Sequence, residues 1–212
     1  MTATSASARR GSGRPPASAV SVRDALLRSG ATHFSSFGYA GASTRSILAD
    51  AGATAPALYH HFGNKTGLYI AAAAAAQQHV LETFKAATAQ NQALADKVSA
   101  LLTVATSLRR EHPNVAKYLS VIQQDISRHP ELDELSSYGA QFDEFWRSVA
   151  DGACSPNGLA IGLRAVVEGL LAVGGARIGT TDVAAAAEAL QQITQRGLEA
   201  SSRRQRRSAV PT

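Results

Sequence analysis

The chain has one cysteine and one tryptophan in 212 residues, and aromatic residues make up only 6%. A lone Cys154 excludes a disulfide framework and a cysteine-rich zinc module, and it fits a reducing compartment. Long hydrophobic runs are also missing. The alanine-rich stretch Tyr69 to Ala76 is far short of the roughly 20 residues that span a bilayer. The arginines near the start have no apolar run behind them, so no secretory signal is expected and a cytoplasmic location is. Apolar residues still reach 45%, enough for a sizeable core and too many for wholesale disorder.

Charge is unevenly spread. The net +5 divides into +5 over residues 1–65, −4 over 66–202 and +4 from Arg203 onward. An acidic body with basic ends suits a protein that meets a polyanion at one end and does something else with the rest; the plainer reading is that basic ends aid solubility. Residues 1–20, rich in Ser, Ala, Gly, Pro and Arg, read as a flexible basic arm, and 201–212 as a basic tail expected to be disordered.

Between them the periodicity is helical. Ser21 and Asp24 form a capping-box arrangement, and Leu27, Gly30, Ala31 and Phe34 follow i, i+3, i+4, i+7 spacing, with Gly38 ending that first helix. Ser43 or Thr44 caps a short second helix that Gly52 breaks; Thr54 caps a third, with Pro56 tolerated in its first turn. In the third helix Leu58 and Phe62 face inward, which leaves Tyr59 and His60 outward. Asn64 caps a long fourth helix. Further helices follow from Leu94, from Pro113, from Pro130, from about Leu159 to Ile178, and from Asp182 to about Glu199. No segment alternates with a two-residue period. The expectation is an all-α fold of about nine helices.

Two short helices joined by a glycine turn, after a longer supporting helix, are the plan of a helix-turn-helix, whose second helix enters the major groove. The stretch FGYAGASTRSILADAGATAPALYHHFGNKTGLY resembles the N-terminal DNA-binding domain of the TetR family of bacterial transcriptional regulators. The matching features are Phe34, Gly38-Tyr39, Ser43-Thr44-Arg45, Ile47, Gly52, Leu58-Tyr59-His60-His61-Phe62 and Lys65; the resemblance covers roughly residues 20–70. It implies a helix-turn-helix domain over 21–66, an effector-binding and dimerisation domain over 67–200, and a homodimeric repressor that binds a palindromic operator.

Thr44 and Arg45 are placed to meet phosphate or a base edge, and Tyr59 and Lys65 to meet phosphate. His60 and His61 lie about 100° apart, so one faces DNA while the other packs beside Tyr39. The turn Ala53-Thr54-Ala55-Pro56-Ala57 has few donors, so Thr54, Ala55 and Pro56 offer mainly close contact, direct readout leans on Arg45, and DNA shape supplies the rest. His33 stands where the family commonly has leucine, and Gly67 where it commonly has glutamate, a change expected to weaken the cap of the fourth helix.

In the remaining two thirds, Leu163, Val167, Leu170, Leu190 and Ile193 are expected at a dimer interface. Leu102, Tyr118, Leu119, Ile122, Phe142, Phe145, Trp146 and Val166 are expected to line an apolar cavity for a hydrophobic effector. The six histidines have no metal-ligand spacing, Gly174 to Gly179 lacks the strand a dinucleotide loop needs, and no nucleophile elbow exists. No cofactor, metal or catalytic residue is therefore expected. Two other readings remain at this point: a helical interaction protein that has lost operator recognition, and a small helical enzyme.

Overall fold

The computed structural model describes residues 21–91, 93–153, 155–172 and 179–208, without the side chains of 180 and 198–208. Helix α1 (Val22–Gly41) opens where Ser21 Oγ accepts the Asp24 N–H at 3.1 Å. Its regular path breaks at Gly38, with φ +69° and ψ 178°, before one last turn. Helix α2 (Thr44–Ala51) is capped by Ser43, which accepts the Ser46 N–H, and ends at Gly52. Helix α3 (Ala55–Phe62) begins after Thr54, whose side chain makes no capping bond, contrary to expectation; Pro56 in the first turn, which has no N–H to satisfy, lessens the need. Helix α4 (Lys65–Thr88) starts at Asn64, as its sequence implies.

The body follows with α5 (Leu94–Glu111), α6 (Pro113–Arg128), α7 (Ser136–Val149), α8 (Pro156–Ala172) and α9 (Thr180–Ser208). Among the described residues there is no strand. Three boundaries differ from expectation. The segment expected to be helical from Pro130 winds first as a 3₁₀ turn, Pro130–Leu135, and becomes an α-helix at Ser136. Three residues per turn places Leu132 and Leu135 on one line, and both are fully buried. Helix α8 is described only to Ala172; the expected continuation and the loop Gly174 to Ile178 lie outside the described residues, as do the arm 1–20 and Cys154. The backbone of α9 continues to Ser208, so residues 201–208, expected to be disordered, are helical.

Two apolar clusters hold these helices. One joins α1–α3 to the start of α4, to α6 and to the 3₁₀ turn, with Leu26, Phe34, Ile47, Leu58, Leu68, Tyr69, Tyr118 and Ile122 inside it. Phe34 meets the Tyr69 ring edge-on at 4.8 Å, and Tyr69 meets Tyr118 at 5.7 Å. His33 does not disturb this packing: its Nε2 bonds Asp50 Oδ2 and ties α1 to α2. The second cluster gathers the later turns of α4 with α5, α7, α8 and α9 around Phe84, Phe145 and Trp146. Helices α4 and α6 are shared. Helix α4 crosses the boundary placed between residues 66 and 67, so its first turns pack with the N-terminal helices.

The turn from α3 into α4 corrects one inference. Asn64 Oδ1 accepts the Gly67 N–H at 2.8 Å, so the cap is made. A Cβ at position 67 would overlap the Phe62 carbonyl oxygen, and no larger residue fits without moving backbone. Glycine here permits the tight turn instead of weakening the cap. Helix propensity alone makes Gly67→Ala stabilising by up to ~1 kcal/mol. The overlap predicts the opposite sign, a loss of about 1–3 kcal/mol, read from denaturant unfolding of the purified protein.

Candidate nucleic-acid interface

The outer side of the N-terminal domain is built by α2 and α3. Leu58 is buried and anchors α3, which turns Tyr59 outward at 63% exposure. Thr54, Ala55, Pro56, His60, His61 and Arg45 are all exposed, and Thr44 is half-buried. Phe62 is half-buried, with the Arg23 guanidinium over its ring at 5.5 Å. The residues named from sequence thus lie on two neighbouring helices with their polar atoms toward solvent. Neither histidine packs beside Tyr39. His60 and His61 stack on each other at 5.0 Å, and the imidazole against Tyr39 is that of His129, from the far end of α6.

Lys65 is less free than its position implies. Its Nζ donates to the Ala40 carbonyl at 3.3 Å and stands 5.1 Å from the centre of the Tyr39 ring. Partial burial lowers its pKa, and the charge of Asp125 works against that shift. Lys65 therefore closes the end of α1 first, and offers its remaining N–H bonds outward second.

The junction with the body rests on Asp125 of α6, which is 7% exposed. Its Oδ2 accepts the Tyr39 N–H at 2.7 Å and the Tyr69 hydroxyl at 2.8 Å. The break at Gly38 frees that N–H from the helix, and the absence of a side chain there lets the carboxylate approach; a Cβ would lie 3.3 Å from Oδ1. Burial raises the pKa of Tyr69 far above the phenol range, with Tyr118 and Asp125 adding to the shift. Tyr118 is raised too, mainly by burial and then by Asp125. Both stay neutral donors. Tyr39 completes the junction, its hydroxyl bonded to Thr66 Oγ1 at 2.8 Å.

Sequence reading did not single out Asp125, Thr66 or Gln77. For Asp125 a signal exists: it falls three residues after Ile122, on the buried stripe of α6, where a carboxylate requires a partner.

Within the body, α4, α6, α7 and α8 enclose a cavity of about 380 Å³. Of the residues expected to line it, Leu119, Phe142 and Trp146 do. Tyr118 and Ile122 instead belong to the N-terminal cluster, and Leu102, Phe145 and Val166 pack into the body core. The wall also contains Gln77, Val80, Phe84 and Arg164. The expected dimer residues divide as well. Leu163, Val167 and Leu170 are buried within the chain and Leu190 packs against its core, whereas Ile193 is 68% exposed. Among the described residues no three His, Cys, Asp or Glu side chains are grouped to hold a metal, and no helix is long and apolar enough to cross a membrane.

A helix-turn-helix domain with polar atoms on its outer helix, set on a larger helical body with a cavity, defines a class of DNA-binding regulators. Residues 26–72 match the family described as bacterial regulatory proteins, tetR family. The N-terminal domain belongs to that family, and the whole chain has the fold of TetR-family transcriptional regulators. A TetR-like transcriptional regulator from Rhodococcus sp. RHA1 is similar at TM-score 0.64 and 19% identity, over 84% of this chain and 96% of that one. A TetR-family transcriptional regulator from Cytophaga hutchinsonii is similar at TM-score 0.62 and 17% identity, over 80% and 91%. The ketosteroid transcriptional regulator KstR2 of Mycobacterium tuberculosis is similar at TM-score 0.60 and 16% identity, over 88% and 95%. No curated protein matches the chain by sequence.

Removing the carboxylate at the junction strands a buried N–H and a buried hydroxyl. Asp125→Ala is expected to lower stability by about 3 kcal/mol. Urea unfolding checks the size, and Tyr69→Phe made in both backgrounds checks the coupling, which should exceed ~1 kcal/mol.

Proposed function

We propose that the chain is a transcriptional repressor that binds a palindromic operator as a homodimer and releases it when a small molecule enters the body. The observation that carries this reading is the outer face of α3, where Tyr59 stands 63% exposed beside Thr54, His60 and the nearby Arg45. Leu58 and Ile47, both buried, hold that face rigidly. Helix α3 enters the major groove, α2 meets the backbone, and Tyr59, Thr44 and His60 or His61 hold phosphates. Ala55 and Pro56 make close apolar contact, so Arg45 reads the base edge. Residues 21–66 form the DNA-binding part and 67–200 the effector-binding and dimerising part. The protein works in the cytoplasm, without a cofactor and not as an enzyme.

The dimer forms through the outer sides of α8 and α9. Ile161 and Ile193 are the exposed large aliphatics of these helices, 71% and 68%, and exposed Ala165 and Ala172 continue the α8 face at helical spacing. Leu163, Val167 and Leu170 support that face from beneath. Two-fold pairing places two α3 helices for two half-sites, which a single weak helix-turn-helix cannot engage with useful affinity. Response to a ligand is supported by α4 and α6, which line the cavity and also pack against the DNA-binding part.

Two outcomes are expected. Arg45→Ala lowers operator affinity by ~1–3 kcal/mol and relaxes preference at one base pair, measured by competition between the selected operator and random duplex; equal loss on both reduces Arg45 to a phosphate contact. Ile161→Asp with Ile193→Asp yields a folded monomer by sedimentation, with operator binding lost at concentrations that saturate the parent protein. A variant that remains dimeric removes this face from the reading.

A further inference from the structure

The cavity of the body contains a polar pair that the protein leaves unused. Gln77 Oε1 and Trp146 Nε1 are buried atoms without a hydrogen-bond partner, and both residues line the cavity. They are 3% and 2% exposed. Native proteins pair almost all such atoms, because an unpaired buried acceptor or donor loses its water and gains nothing in return. The remaining atom of this kind, Arg109 Nε, belongs to a residue outside the lining. An acceptor from α4 and a donor from α7 are thus both presented where Val80, Phe84, Leu119, Phe142 and Leu171 supply apolar wall.

Charge in the lining selects further. Its single cation is Arg164, and that guanidinium is already engaged: Nε donates to Glu168 Oε1 at 2.8 Å and Nη1 to Asp143 Oδ1. Two carboxylates on one guanidinium leave this edge net negative. A carboxylate or phosphate ligand would have to break those pairs or lie uncompensated in apolar surroundings. The volume of about 380 Å³ falls within the range of roughly 300–1,000 Å³ common for small-molecule sites.

We propose that this cavity binds a neutral, mostly apolar alcohol or hydroxyketone, whose hydroxyl donates to Gln77 Oε1 and whose oxygen accepts from Trp146 Nε1. The inference deepens the effector-responsive reading and rests on it only for the consequence at DNA. Gln77 sets specificity: an acceptor aimed into an apolar site rejects a molecule without a donor more strongly than it rewards one with it. Trp146 is both a contact and, as the only tryptophan in the chain, a reporter inside the site.

The test uses three transparent cage compounds of similar size, 1-adamantanol, 2-adamantanone and adamantane-1-carboxylate, titrated against Trp146 fluorescence in the full-length protein without DNA. The alcohol carries donor and acceptor, the ketone an acceptor only, and the carboxylate a charge. The alcohol is expected to bind about tenfold more tightly than the ketone, with the carboxylate weakest. Gln77→Leu is expected to abolish the preference for alcohol over ketone while the carboxylate stays weakest. The order of the three in the parent protein decides the matter even where the variant does not fold. Equal binding of alcohol and ketone, tighter binding of the carboxylate, a preference that survives Gln77→Leu, or no response to any compound overturns the proposal. Operator release is read separately, by adding 1-adamantanol to the protein–DNA complex. Ligand preference without release overturns the effector reading and leaves the cavity chemistry standing; release without the preference does the reverse.

Discussion

One carboxylate holds the two halves of this molecule in register. Asp125 lies near the end of α6, yet its Oδ2 completes the hydrogen bonding of Tyr39, on the far side of the break in α1, and of Tyr69 on α4. Three helices meet at one oxygen. The break itself depends on Gly38, whose positive φ directs the Tyr39 N–H away from its own helix. A buried anion of this kind must be met by donors, so the helices cannot slide past one another without exposing it to an apolar wall. Lys65 and Thr66 reinforce the same point from the start of α4, through the Ala40 carbonyl and the Tyr39 hydroxyl. The orientation of α2 and α3 relative to the body follows from these few contacts.

Much of the N-terminal domain was legible because its signals are local. Ser21, Ser43 and Asn64 each cap the helix they precede, and Gly38 and Gly52 mark the ends of two helices. Outward placement of Tyr59 follows from burial of Leu58 one residue earlier. Contacts between distant segments were not legible in the same way. Nothing near Tyr39 foretells that the imidazole beside it comes from His129, ninety residues later, and not from the His60–His61 pair. The same holds for Gly67, where family comparison reads a missing capping glutamate while the backbone of Phe62 leaves no room for one.

In the body the difficulty was of another kind. Helix α8 is apolar on two sides. Leu163, Val167 and Leu170 face the chain's own core, and Ile161 with Ala165 faces away from it. Periodicity reports that both stripes exist, but not which one packs inside the chain, because a residue that seals a core and one that seals a dimer obey the same spacing. The larger residues were assigned to the interface, and size favours the interior instead. The cavity assignments failed by the same mechanism for Tyr118 and Ile122, which the hydrogen bonding around Asp125 draws into the other cluster.

The two clusters are not independent, and this bears on how a bound molecule could be felt at DNA. Helix α4 places Tyr69 in one cluster and Gln77, Val80 and Phe84 at the cavity wall, two to four turns further on. Helix α6 places Gln123 and Gln124 at the same wall and Asp125 directly after them. A ligand that shifts the wall by a fraction of an ångström therefore acts on helices that also carry the acceptor for Tyr39 and the donor Tyr69. A shift alone changes nothing at equilibrium. DNA affinity falls only to the extent that the ligand binds the displaced arrangement more tightly than the one that fits the operator, and the operator must weaken the ligand by the same factor. The unpaired atoms of Gln77 and Trp146 supply a source for such a difference, because a contact made in one arrangement and lost in the other is worth most where water cannot replace it.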